Sequence, residues 1–151
     1  LVDELVLARQ WSRPSILITI YRSPAVRRAA EEFLMGELNR QGQVLRPISI
    51  TAASYDILLN LTKEAAPRNT VFAISGLRHG GGKGGANAFH ALNLRRELLV
   101  DRRLRVVFWL TEGEARRLPR QAPDFWAFRH RVVSLVELRA RKHKASRQPD
   151  G

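Results

Sequence analysis

The apolar residues of this 151-residue chain gather into five short runs separated by stretches of helical spacing. The first run, Ile16-Leu17-Ile18-Thr19-Ile20-Tyr21, is apolar at almost every position. A strand covered on both faces has that character, whereas a half-exposed strand alternates. Ser23-Pro24 then offers a helix N-cap with proline at the first helical position. Val26, Ala30, Phe33, Leu34 and Leu38 follow at helical spacing, and Gly42 stands where such a helix stops. The second run, 44–50, contains Pro47, which has no N–H to give a ladder, and so predicts an edge or bulged strand. Ser54 is the expected cap of a second helix carrying Ile57, Leu58, Leu61 and Ala65 and closed by Pro67.

The third run, 70–75, ends at Gly76, and a glycine-dense stretch with Lys83 in its middle follows over 80–85. A helix is predicted over 87–100, with Phe89, Leu92, Leu94, Leu98 and Leu99 as its apolar positions. The fourth run, 106–110, has the strongest strand character. Thr111 and Glu114 beyond it have capping-box spacing for a helix that Pro119 is expected to limit to about two turns. Residues 123–128 read as a short aromatic turn, and Trp109, Phe125, Trp126 and Phe128 as one aromatic core cluster. The fifth run is 132–136. Strands alternating with helices imply a five-stranded, mainly parallel sheet covered on both faces, a three-layer α/β fold. The opening segment, with Leu5, Ala8 and Trp11 at helical spacing, is expected to pack as a further helix beside the sheet.

Composition narrows this further. The pattern makes residues 1–136 a single domain and 137–151 a basic tail or linker. No apolar run approaches the roughly 20 residues of a bilayer span, and the first ten residues lack a signal-peptide pattern. With no cysteine there is neither a disulfide framework nor a thiolate site, so a cytoplasmic location and no membrane partner are expected. The opening at Leu1 and the polar close lead to the expectation of a segment cut from a larger protein. The net charge is +12, and residues 137–151 contribute only +3 of it, so the body itself is cationic. Acidic partners follow from that balance, either an anionic ligand or nucleic acid, although a solvated arginine surface explains it equally.

Three stretches carry a resemblance: Leu92-Asn93-Leu94-Arg95-Arg96-Glu97-Leu98-Leu99, then Val106-Val107-Phe108-Trp109-Leu110-Thr111, then Ala122-Pro123-Asp124-Phe125-Trp126. Together with Gln10-Trp11 before the first strand, they resemble bacterial proteins of the signalling STAND NTPase class. In those proteins an ATPase-like module often precedes helical repeats such as tetratricopeptide repeats. The resemblance implies a P-loop NTPase-like strand order, 5-1-4-3-2, and other domains of a larger protein as partners. It also implies a Gly-rich loop ending in Gly-Lys-Ser/Thr after the first strand, whose amides cradle phosphate. Residues 21–28 read Tyr-Arg-Ser-Pro-Ala-Val-Arg-Arg, with neither glycine nor lysine, and Pro24 removes an amide. The acid expected after the third strand is missing too, because Ser75-Gly76-Leu77-Arg78 holds no carboxylate. The implied function is a degenerate, signalling-type NTPase module that acts as a regulatory or scaffold domain. It would have no catalytic residues, no required cofactor and at most weak ATP or other nucleotide affinity.

The ligand-binding candidates are Arg22, Ser23, Arg27, Lys83, Asn93 and Arg96. A helix start at Ser23 flanked by Arg22, Arg27 and Arg28 reads as an ordinary capped helix or as an altered phosphate site. Lys83 among its glycines reads as part of a flexible connector or as a displaced phosphate loop. Asn93 and Arg96 read as helix-surface polarity or as signalling contacts. His79, His90, His130 and His143 lack metal-ligand spacing, so no metal is expected. A nucleic-acid-binding module using the arginine surface is the alternative function.

Overall fold

Each of the five apolar runs forms a strand, and the strands pair in the order β5-β1-β4-β3-β2, parallel throughout. The computed structural model describes residues 14–62, 69–81, 87–129 and 131–135. The opening segment, Ala65, Pro67, Lys83, His130, His143 and the 137–151 tail lie outside the described residues. In chain order the elements are β1 (Ser15–Tyr21), α1 (Pro24–Arg40), β2 (Val44–Ser49), α2 (Ile57–Thr62) and β3 (Thr70–Ser75). A 3-10 turn (Leu77–His79) leads to α3 (Ala88–Arg95), α4 (Glu97–Asp101), β4 (Arg105–Thr111), α5 (Glu112–Gln121), α6 (Pro123–Ala127) and β5 (Arg131–Ser134). The strand order expected for a P-loop NTPase-like domain is therefore the one observed. Pro47 lies on the edge strand β2, where its missing N–H breaks no ladder.

Period-two alternation divides the strand side chains between two cores. Ile16, Ile18, Phe72, Ile74, Val106, Phe108 and Leu110 face α2–α6 and pack with Leu58, Phe89, Leu92, Leu118 and Phe125. Leu17, Tyr21, Val71, Ala73, Val107 and Trp109 face α1 and pack with Leu34 and Leu38. Burial of each large apolar side chain contributes roughly 1.5–3 kcal/mol, and it is the two-sided covering that makes β1, β3 and β4 apolar at nearly every position.

Several local expectations need correction. The aromatic cluster is split, because Trp109 belongs to the α1 face while Phe108, one residue earlier, meets Phe125 edge-on at 5.3 Å on the other. Ser54 does not cap α2; it exchanges hydrogen bonds with Thr51, and the α2 N-terminus is preceded by Asp56, whose carbonyl accepts from Asn60. The predicted 87–100 helix is two helices. The Arg96 guanidinium donates to the Asn93 carbonyl at 2.6 Å, taking the acceptor that an unbroken helix would offer to the Glu97 amide. Pro119 does not end α5, which runs ten residues through it. The capping box holds one end, and Leu118 and Ala122, both fully buried, hold the other. β5 covers 131–134, starting one residue before the expected 132 and ending before Leu135, while residue 136 lies outside the described residues.

Two backbone positions constrain the sequence in opposite ways. A Cβ on Gly80 would stand 2.7 Å from Ile50 Cγ2 and 2.8 Å from the Ala88 Cβ, so only glycine fits beside the 2.7 Å hydrogen bond from Ala88 N to Gly80 O. Arg103, by contrast, has φ +51°, a left-handed conformation that glycine adopts without cost. Gly80→Ala is expected to lose about 1–3 kcal/mol of stability through overpacking. Arg103→Gly is expected to gain about 1 kcal/mol by relief of strain. Urea unfolding of the two variants checks both signs.

Candidate functional site

In an open parallel sheet, ligands bind where the chain leaves neighbouring strands toward opposite faces, at the strands' carboxyl ends. Here that point lies between β1 and β4, since β1 feeds α1 on one face and β4 feeds α5 on the other. The β1–α1 connection is only Arg22 and Ser23. Ser23 caps α1 through a 3.4 Å bond from the Val26 amide, and its carbonyl accepts from Arg27 N. Arg22 reaches from the end of β1 to the start of α5. Its Nε and Nη2 lie 2.9 and 2.8 Å from Glu112 Oε1 at the end of β4. Both side chains are well exposed, so the pair adds less than about 1 kcal/mol; its consequence is geometric.

Arg27, one turn into α1, points inward. Its guanidinium lies 5.8 Å from the Tyr21 ring centroid, 3.3 Å from Glu31 and 3.5 Å from Ser75 Oγ, the last at the limit of a hydrogen bond. Thr19, Trp109 and Ser75 occupy one register level of β1, β4 and β3 on this face. Thr19 Oγ1, Trp109 Nε1, Arg27 Nε and Glu31 Oε1 have no hydrogen-bond partner among the described residues. This polar layer under α1 is where the described chain keeps most of its unspent buried hydrogen-bonding capacity.

The end of β3 is organised by a residue that belongs to α5. Gly76, at φ +82°, turns the chain so that the Arg78 amide meets Glu114 Oε2 at 2.8 Å and Arg78 Nη1 meets Oε1 at 3.3 Å. Glu114 Oε1 also accepts from Thr111 N at 2.9 Å and from Thr111 Oγ1 at 3.0 Å. A buried carboxylate therefore does stand beside the end of β3, but all of these donors converge on it and leave it serving structure. Capping-box spacing reveals its bonds to Thr111. Its bonds to Arg78, 36 residues away, carry no local signal.

The candidate residues divide into two groups. Arg22, Ser23 and Arg27 meet at the carboxyl end of β1. Asn93 and Arg96 join α3 to α6 instead: Asn93 Oδ1 accepts from the Asp124 and Phe125 amides at 2.8 and 3.1 Å. Arg96 lies 3.8 Å from the Asp124 carboxylate and 5.9 Å from the Phe128 ring centroid. Lys83 is outside the described residues. Asp56, not singled out from sequence, binds Arg95 Nε at 3.1 Å and ties α2 to α3. Among the described residues no acidic or histidine cluster could hold a metal, and no helix is long and apolar enough to cross a membrane. Comparison of the sequence with protein-family models and with curated proteins gives no match.

Glu114→Ala would strand the Arg78 and Thr111 amides and is expected to lose about 3 kcal/mol, whereas Glu114→Gln keeps an acceptor and loses about half as much. Asn93→Ala removes the α6 cap and a 3.5 Å contact from Nδ2 to Asp124, both exposed or half-buried, and is expected to lose about 1 kcal/mol. Equilibrium urea unfolding at constant m-value gives the ranking.

Proposed function

We propose that the chain is a degenerate NTPase-like module of the signalling STAND type, serving as a regulatory or scaffold domain within a larger bacterial protein. The observation that carries this reading is the connection after β1. A phosphate loop spans about eight residues and presents successive amides to the nucleotide. Arg22 and Ser23 are the whole connection here, the next residue is a proline, and Arg22 is paired with Glu112 at the start of α5. The buried carboxylate that bonds the turn after β3, Glu114, is already occupied by four donors and is not free to hold Mg²⁺ or orient water. The parallel 5-1-4-3-2 sheet supports kinship with such domains, and the chemistry at its carboxyl end supports loss of hydrolysis. A chain without cysteine suits the cytoplasm, where we place it.

Residual nucleotide affinity on this reading comes from Arg27 and the start of α1, without a loop to enclose the phosphates. The expected dissociation constant for ATP is in the millimolar range, roughly 4 kcal/mol of binding free energy. Calorimetric titration with Mg²⁺-ATP and a phosphate-release assay on the purified chain test the proposal. No turnover and a dissociation constant near millimolar agree with it. Steady Mg²⁺-dependent turnover that is lost in Lys83→Ala or Arg27→Gln contradicts it.

A further inference from the structure

We propose that the outer face of α5, together with the end of α6, is a binding surface for the phosphate backbone of single-stranded nucleic acid. This goes beyond the scaffold reading and stands or falls independently of it. Arg116, Arg117 and Arg120 of α5 are all exposed. At 3.6 residues per turn they fall within an arc of about 100°, opposite the buried Glu114 and Leu118. Arg129, also exposed, follows α6, which packs against α5.

What sets this patch apart is the fate of its counter-charges. Residues 112–129 contain three carboxylates, and each is committed elsewhere: Glu112 to Arg22, Glu114 to Arg78 and Thr111, Asp124 to Arg96. None of the four arginines has a carboxylate partner among the described residues. Arg117 reaches only Gln121 Oε1 at 3.5 Å and Arg129 only the Trp126 carbonyl at 2.8 Å. Two of them are also held in place by rings. The Arg117 guanidinium carbon sits 4.4 Å from the Phe89 ring centroid, and that of Arg129 4.2 Å from the Trp126 centroid. Stacking fixes the guanidinium plane, so less side-chain entropy is lost when its outward N–H groups meet an anion.

The spacing and the rings favour a polynucleotide over an acidic peptide. Arg116 and Arg120 stand one helical turn apart, about 6 Å along the axis, and a phosphodiester chain offers a charge at every nucleotide to match such a row. Trp126, partly exposed with the Arg129 guanidinium over its ring, and Phe128, partly exposed near Arg96, add aromatic surface that unpaired bases can use and a peptide backbone cannot. A peptide uses the cations but gains nothing from the rings.

Fluorescence anisotropy with labelled oligouridylate of about twenty nucleotides, between about 50 and 200 mM salt, tests this on the full chain. The expected plot of log K against log salt has a slope near −3, from four phosphate contacts at about 0.7 each. The triple variant R116Q/R117Q/R120Q should bind at least tenfold more weakly at the low salt and flatten the slope by about 2. A charge-matched triple elsewhere, R28Q/R102Q/R103Q, should stay within about threefold of the parent. All six positions are exposed, and circular-dichroism melting confirms that each variant is folded. R116K/R117K/R120K keeps the charges and should recover most of the affinity. No binding at low salt, or equal losses in the two glutamine triples, overturns the proposal. Polyglutamate that competes as well as the RNA, and loses this in the α5 triple only, also overturns it and makes the surface a dock for acidic protein.

Discussion

The Glu114 carboxylate is the interaction on which the upper end of the sheet depends. It is buried, and it gathers the Arg78 amide and guanidinium from beyond β3 with the Thr111 amide and hydroxyl from the end of β4. One side chain thereby starts α5, closes the turn after β3 and fixes the exits of two central strands. Buried charge is tolerable only when its hydrogen bonds are fully met, and here four donors meet it. The same saturation removes it from chemistry. A carboxylate that could have served metal or water is held by the fold.

The neighbouring cations follow a related logic. Arg22 is set against Glu112, and Arg27 against Glu31, Tyr21 and Ser75. The point where β1 and β4 part, at which such sheets ordinarily admit a ligand, is thus furnished with the chain's own paired charges. On the helical flank Arg116, Arg117 and Arg120 of α5, all exposed, meet no carboxylate among the described residues. The strong basic balance of the sequence and the quiet carboxyl end of the sheet are compatible for this reason.

Much of the fold was legible because it rests on short-range rules. Apolar runs at 16–21, 70–75 and 106–110 mark strands buried on two faces, Pro47 marks the edge, and Ser23-Pro24 marks a helix start. What was not legible depends on contacts distant in sequence or on alternation at single-residue resolution. Trp109 and Phe108 differ by one position and so fall in different cores, which no reading of aromatic content reveals. Asn93 caps α6 from 31 residues away, and the Arg96 guanidinium bonds the Asn93 carbonyl where α3 gives way to α4, contacts that helical periodicity does not register. The group Arg22, Ser23 and Arg27 was recognisable from sequence, but its pairing with Glu112, Glu31 and Ser75 appears only once the strands are in order.

The central claim is that the carboxyl end of β1 and β4 is filled by the protein's own ion pairs and takes no nucleotide of physiological strength. Its most direct test is a ¹⁵N–¹H correlation spectrum recorded while Mg²⁺-ATP is added to about millimolar concentration. The account predicts at most small, unsaturated shifts for the amides of Arg22, Ser23, Val26, Arg27 and Arg78. Large saturable shifts at those amides, complete at micromolar nucleotide, would contradict it.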